Sequence, residues 1–179
     1  MCIRDSPEAA QTIAELGHMG LRCAMLSGDL QATADTVARR LGMVEAQGGL
    51  RPDDKLEAIE RMGARTIFVG DGINDAPALA AAGTGIAIGS GTDIAIESAD
   101  AVLMSGDTSG VVRAIRLARA VMRNIRQNLF WAFAYNIALI PVAMGVLVPF
   151  GGPALSPMLG AGAMALSSVF VVGNALRLR

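Results

Sequence analysis

The residues best equipped for chemistry are two carboxylates in a glycine turn. Asp71 and Asp75 fall within residues 70–77, GDGINDAP, directly behind the apolar run Thr66-Ile67-Phe68-Val69. Carboxylates are hard oxygen ligands suited to magnesium, Asn74 can orient a phosphate or a water, and Gly70 and Gly72 permit close backbone approach. Asp-Gly and Asn-Asp are also ordinary turn dipeptides, and Asn74 as the cap of a following helix is the plainer account of the same residues. A second group, Ser27-Gly28-Asp29, puts a hydroxyl, a flexible backbone and another carboxylate after an apolar stretch. A serine there can donate to a phosphoryl oxygen through its hydroxyl and its amide; a helix N-cap is the alternative. The third candidate is Lys55, in Arg51-Pro52-Asp53-Asp54-Lys55. Proline followed by two acids signals a helix start, where a cation has the wrong sign for the dipole and points to another partner such as a phosphate. A merely solvated lysine is the plainer account.

These residues need strand ends to carry them. Residues 66–69 are β-branched and aromatic and read as a buried strand, and residues 21–26 as an earlier one. Helices are expected from Pro7 to a break near Gly17 and Gly20, over Gln31–Leu41, from Pro52, and over residues 76–82. Residues 44–50 form a loop or short strand, Thr84–Ile88 another strand, residues 89–93 a turn into a helix through Glu97, and residues 101–104 a last strand. A longer link than residues 62–66 is expected between helix and strand. Strands alternating with helices predict an α/β fold with a parallel, Rossmann-like sheet and right-handed crossovers, whose ligands gather at the carboxyl ends of the strands. His18, the one histidine, falls in the first break and reads as a solvated or packing residue.

Composition divides the 179 residues in two. The chain is 53% hydrophobic with a net charge of −1, yet residues 127–176 contain no charged side chain or histidine. No strong basic balance points to nucleic acid. Cys2 and Cys23 form no CxxC and no larger framework, so the sequence argues against a disulfide scaffold, and Cys23 reads as a structural thiol. Residues 1–6, MCIRDS, lack the apolar core of a signal peptide and read as a non-native leader. From Thr108 one long helix is expected, with Val111, Ile115, Ala118, Met122 and Ile125 at helical spacing. Arg113, Arg116, Arg119, Arg123 and Arg126 on a neighbouring face suit a stalk at lipid headgroups. Residues 128–148 and 158–176 are long enough for two membrane crossings joined by a Gly/Pro turn. Arg177 and Arg179 then put both ends on the cytoplasmic side. Within the spans Tyr135, Asn136, Met164, Ser167, Ser168 and Asn174 are polar or soft. Met164 and Ser168 share a helix face. Thioether, hydroxyl and amide donors without a carboxylate suit a soft monovalent ion such as Cu(I); interhelical hydrogen bonding suits the serines and asparagines equally.

GDGINDAP resembles the hinge motif of P-type ATPases, ion pumps whose phosphorylation domain has the haloacid-dehalogenase fold. Ser27-Gly28-Asp29 is similar to the TGD motif of that family, with Ser for Thr, and residues 52–55 to its P-x-D-K element, whose lysine meets the aspartyl phosphate. Residues 84–104 resemble the same stretch of heavy-metal pumps. Tyr135-Asn136 and the Met164, Ser168 pair resemble the last two membrane helices of copper pumps more than those of zinc pumps, which carry a lysine and an aspartate; silver is not separated from copper. The resemblance implies the C-terminal part of a Cu(I) pump working through an aspartyl phosphate. Its expected parts are a leader (1–6), the end of the phosphorylation domain (7–107), a stalk (108–126) and a two-helix transmembrane hairpin (127–179).

The roles implied are Asp71 and Asp75 for magnesium, Ser27, Gly28 and Lys55 for the phosphoryl oxygens, Asp29 and Asn74 for orientation, and Tyr135, Asn136, Met164 and Ser168 for the transported ion. ATP is the implied substrate. The partners implied are the N-terminal part of the same pump, the bilayer of a prokaryotic plasma membrane and a copper ion, delivered by a chaperone. No DKTGT occurs in the 179 residues, so this segment is expected to be inactive alone. Two rivals are a membrane-tethered phosphatase of the haloacid-dehalogenase type, which would need a DxD motif not found here, and a non-catalytic membrane regulator.

Overall fold

The computed structural model describes residues 7–70, 73–89, 97–104, 106–145, 149 and 157–176. Asp71, Gly72, the 1–6 leader, the turn at 90–93 and both C-terminal arginines lie outside the described residues, as does the side chain of Met164. The chain divides into two units, Met1–Ala114 and Ile115–Arg179.

The first unit alternates helix and strand: α1 (Pro7–His18), β1 (Ala24–Leu26), α2 (Gln31–Leu41), β2 (Glu45–Gln47), α3 (Pro52–Met62), β3 (Ile67–Gly70), a 3-10 turn (Ile73–Asp75), α4 (Ala76–Ala81), β4 (Thr84–Ile88) and β5 (Ala101–Leu103). All strand pairs are parallel, but they form a pair β1-β2 and a triplet β3-β4-β5. The expected first strand is shorter than the apolar run that suggested it, because β1 pairs with β2 only from Ala24 to Leu26. His18 closes α1 rather than lying beyond it.

The core is built on the triplet. Ile59 of α3, Phe68 of β3, and Ala78 and Leu79 of α4 pack together, with Leu26 and Ala99 against them. β4 has Ile86, Ala87 and Ile88 buried in succession, as expected of a central parallel strand covered on both faces. The short link from α3 to β3 is closed by Gly63, whose φ of 79° admits the reversal and whose amide donates to the Ile59 and Glu60 carbonyls.

Two helices follow: α5 (Ser109–Ala143) and α6 (Pro157–Ala175). α5 starts in the first unit, where the Asp107 carboxylate accepts from the Ser109 amide at 2.8 Å and from the Ser109 hydroxyl. It runs unbroken for 35 residues, through Pro141, and ends where Gly145 turns left-handed at φ 74°. The crossing expected over residues 128–148 therefore stops short, and asparagines and a proline dilute its apolar character. Among the described residues no helix is long and apolar enough to cross a membrane.

Within the second unit the two helices run antiparallel. Asn174 donates to the Asn128 amide oxygen at 2.8 Å, and Trp131 stacks on Phe170 at 6.4 Å between ring centres. Much of the remaining surface is apolar and open: Phe130, Phe133, Ile137, Val169 and Phe170 are each at least 60% exposed.

Candidate functional site

Three loops carry the candidate residues of the first unit, and hydrogen bonds tie them together. Ser27 follows β1, and its amide donates to the Gln47 carbonyl at 2.9 Å, continuing the β1-β2 ladder. That amide is therefore engaged in the fold, which corrects the expectation that it serves a phosphoryl oxygen. The hydroxyl donates to Asp29 Oδ2 at 3.0 Å and accepts from the Asp29 amide at 3.2 Å. Nor does this loop cap α2: the N-cap is Leu30, with no side-chain bond. The Ser27 carbonyl accepts from the Leu50 amide at 3.0 Å, which holds the loop to the residue before Arg51 and the start of α3. A Cβ on Gly28 would come 3.4 Å from the Leu50 oxygen, so the two segments are in van der Waals contact there.

Gln31 was not singled out from the sequence, yet it fixes this loop. Its side chain accepts from the Gly48 amide at 2.6 Å and donates to the Ala46 carbonyl at 3.0 Å. A glutamine in the first turn of a helix carries no sequence signal for such a clamp.

The start of α3 is closed by a capping box, in which the Arg51 amide donates to Asp54 Oδ2 at 2.9 Å. That bond, then the Arg51 side chain, holds the Asp54 carboxyl below its ordinary pKa. Lys55 does have the separate partner its position called for: Nζ meets Asp75 Oδ1 at 2.8 Å, with side-chain exposures of 15% and 13%. The sequence assigned Lys55 to phosphate and Asp75 to magnesium; the structure joins them.

Asp75 folds back across the end of β3. A Cβ on Gly70 would lie 2.9 Å from Asp75 Cβ and 3.0 Å from Oδ2, so only glycine leaves room for this carboxylate. Asp75 is the N-cap of α4 but makes no side-chain cap bond, and Asn74 sits exposed in the preceding 3-10 turn. Neither residue behaves as the simple helix cap that turn chemistry offered.

Magnesium would meet hard oxygens here. Asp75 has one oxygen committed to an ammonium and keeps lone pairs on both, which fits a supporting ligand rather than a principal one. The principal donor would be Asp71, outside the described residues. Among the described residues no cluster of three His, Cys, Asp or Glu forms a ready metal site.

In the second unit, Asn136 is exposed and donates to the Ala132 carbonyl one turn back at 2.6 Å, while Tyr135 is half-buried and Ser168 exposed. The asparagines that join the helices are Asn124, Asn128 and Asn174, of which only Asn174 stood out in the sequence.

A parallel α/β unit with a carboxylate, a serine loop and a part-buried, ion-paired lysine near its strand ends defines a class. Residues 2–83 match one haloacid dehalogenase-like hydrolase family and residues 55–115 a second. The chain is also 60% identical over 94% of its length to copper-transporting ATPase 1 of Rhizobium meliloti, of which it covers 21%. Against the silver exporting P-type ATPase of Salmonella typhimurium it is 53% identical over 92% of its length, covering 20% of that protein. Among solved structures, a zinc-transporting PIB-type ATPase in the E2.Pi state superposes with a TM-score of 0.85 at 40% identity, over 97% of this chain and 28% of that one. Over most of its length the chain is thus similar to one segment of copper- and silver-transporting P-type ATPases. It spans about a fifth of the length of the curated relatives it matches.

Proposed function

We propose that this segment serves an ATP-driven pump for Cu(I), or equally Ag(I), by closing the phosphorylation site and supplying part of the ion path. The observation that carries the reading is the part-buried Lys55–Asp75 pair, which joins the start of α3 to the turn after β3, in a chain 60% identical to a copper-transporting ATPase. Lys55 would bind the phosphoryl oxygens together with the Ser27 hydroxyl, and Gly28 keeps the backbone close. Asp29 holds that hydroxyl in place, and Asn74, exposed beside Asp75, would orient a water or phosphate. Asp71, with Asp75 in support, would hold magnesium, which would supply positive charge to offset that of the transferred phosphoryl group. The accepting aspartate would come from another part of the pump.

The two helices serve as membrane segments in this reading. Their exposed aromatic and aliphatic side chains favour it, since a face of that kind needs lipid or neighbouring helices to cover it. The arginines of α5 would lie at the cytoplasmic headgroups. Tyr135, Asn136, Met164 and Ser168 would line the path of the ion, and copper is preferred to zinc because this set offers sulfur and neutral oxygen without a carboxylate. A chaperone delivering Cu(I) and the rest of the pump are the expected partners.

The test is to extend the reading frame upstream of Met1 and assay the purified product. Hydrolysis of ATP stimulated by Cu(I) or Ag(I) and abolished by Lys55→Ala is expected. Stimulation by Zn(II) alone would overturn the ion assignment. Steady phosphatase turnover by the 179-residue chain itself would favour the membrane-tethered phosphatase.

A further inference from the structure

Among the described residues three asparagines form a polar contact between α5 and α6. Asn124, 7% exposed, donates through Nδ2 to the Asn174 carbonyl at 2.7 Å. That carbonyl lies in the last turn of α6, where helical acceptors lack an internal donor. Asn128 donates to Asn124 Oδ1 at 2.9 Å, and Asn174 donates to Asn128 Oδ1 at 2.8 Å. The three amides thus form a closed chain in which each side chain is donor to another member. Unlike the apolar contacts around it, such a chain admits one register: sliding either helix by a residue, about 1.5 Å, separates donors from acceptors.

We propose that Asn124, Asn128 and Asn174 are positioning residues that fix the height of α6 against α5, and with it the relative height of the ion-path residues. This rests on the ion path proposed above. Asn128 meets Asn174 and Trp131 meets Phe170, so each step along α5 is matched by a step back along α6. Continued at that register, Tyr135 and Asn136 come level with residues 165–167, between Met164 and Ser168. Two candidate groups separated by a loop in the sequence are thereby held at one depth. A hydrophobic seam alone would tolerate neighbouring registers, because one aliphatic knob replaces another; a polar residue at a helix interface specifies register at some cost in stability.

The register can be read directly. Nitroxide labels on Phe133→Cys and Val169→Cys, level with each other and both exposed, report the spacing by pulsed electron resonance in the full chain with Cys2 and Cys23 changed to serine. The unmodified clamp should give one narrow distance distribution, unaltered by Gln127→Ala. Asn128→Leu and Asn174→Leu should each broaden it or shift it by up to about one helical turn, roughly 5 Å, with helix content retained by circular dichroism. Asn124→Ala, which deletes two of the three bonds without adding bulk, serves if a leucine variant loses its helices. A distribution that stays narrow and unshifted in all folded variants would overturn the proposal. The measurement contains no copper, so its failure is separate from failure of the pump reading, which the hydrolysis assay detects.

Discussion

Lys55 Nζ lies 2.8 Å from Asp75 Oδ1, joining the first turn of α3 to the turn after β3 across 20 residues of sequence. The pair closes the loop cluster before any phosphate arrives, so a phosphoryl group would have to share or displace an ion pair already made.

Breaking that pair from one side should be costly. Lys55→Ala leaves a nearly buried carboxylate alone, and loss of one partner from a buried pair costs about 3–5 kcal/mol. The slight exposure here places the expected loss at the lower end. Lys55→Met combined with Asp75→Leu should lose less than either single change. Urea unfolding of the whole chain checks the order of the three variants.

Gly70→Ala should act through Asp75. The new methyl would press on a side chain anchored by Lys55, so neither side gives way freely. Overpacking of this kind costs about 1–3 kcal/mol. A lowered thermal midpoint is expected, together with loss of the Lys55–Asp75 contact in a structure of the variant.

Acid should loosen the start of α5. The Ser109 hydroxyl and amide, and then Arg113, hold the Asp107 carboxyl below its ordinary value. A depressed folded-state pKa means that the contribution is complete above about pH 4, the ordinary aspartate value, and is lost as pH falls through the lowered one. Protection of the Ser109 amide from hydrogen exchange, taken relative to an unstructured peptide at the same pH, should fall on acidification below pH 4, and Asp107→Asn should remove that pH dependence.

Cys23 should be a slow nucleophile. Burial pushes its thiol pKa up, so little thiolate exists near neutrality. Alkylation by iodoacetamide should lag behind a free model thiol at pH 7.5 and catch up only at distinctly alkaline pH. Equal rates at pH 7.5 would refute the structural role.

Trp131, the one tryptophan of the chain, reports on the membrane reading. It is 57% exposed while stacked on Phe170, so transfer into lipid should shift its emission to the blue. Quenching by vesicles carrying brominated acyl chains is the decisive measurement; emission indifferent to vesicles would argue against insertion.

Much of the fold was legible because it rests on local signals. α2 and β4 begin and end where the sequence placed them, at Gln31–Leu41 and Thr84–Ile88. The division of the strands into a pair and a triplet was not legible, since strand pairing is decided by distant partners rather than by any one run of residues. At the site, Lys55 and Asp75 both stood out, but each was given a ligand; nothing in a sequence announces that two opposite charges are mutual neighbours. Asn124 and Asn128 were passed over because an asparagine amid arginines reads as solvated surface. The early stop of α5 was foreshadowed by Pro141 and Gly145, whose effect was outweighed by the apolar residues around them.

Pro141 has one more effect on α5. Lacking an amide hydrogen, it leaves the Ile137 carbonyl without its helical donor, so the final turn is weaker than those before it. Torsion applied near Ser109 would travel along hydrogen-bonded turns as far as Asn136 and relax only past that vacancy. A gap in the hydrogen-bond ladder of the long helix is thus sited just downstream of the amide proposed to greet the ion.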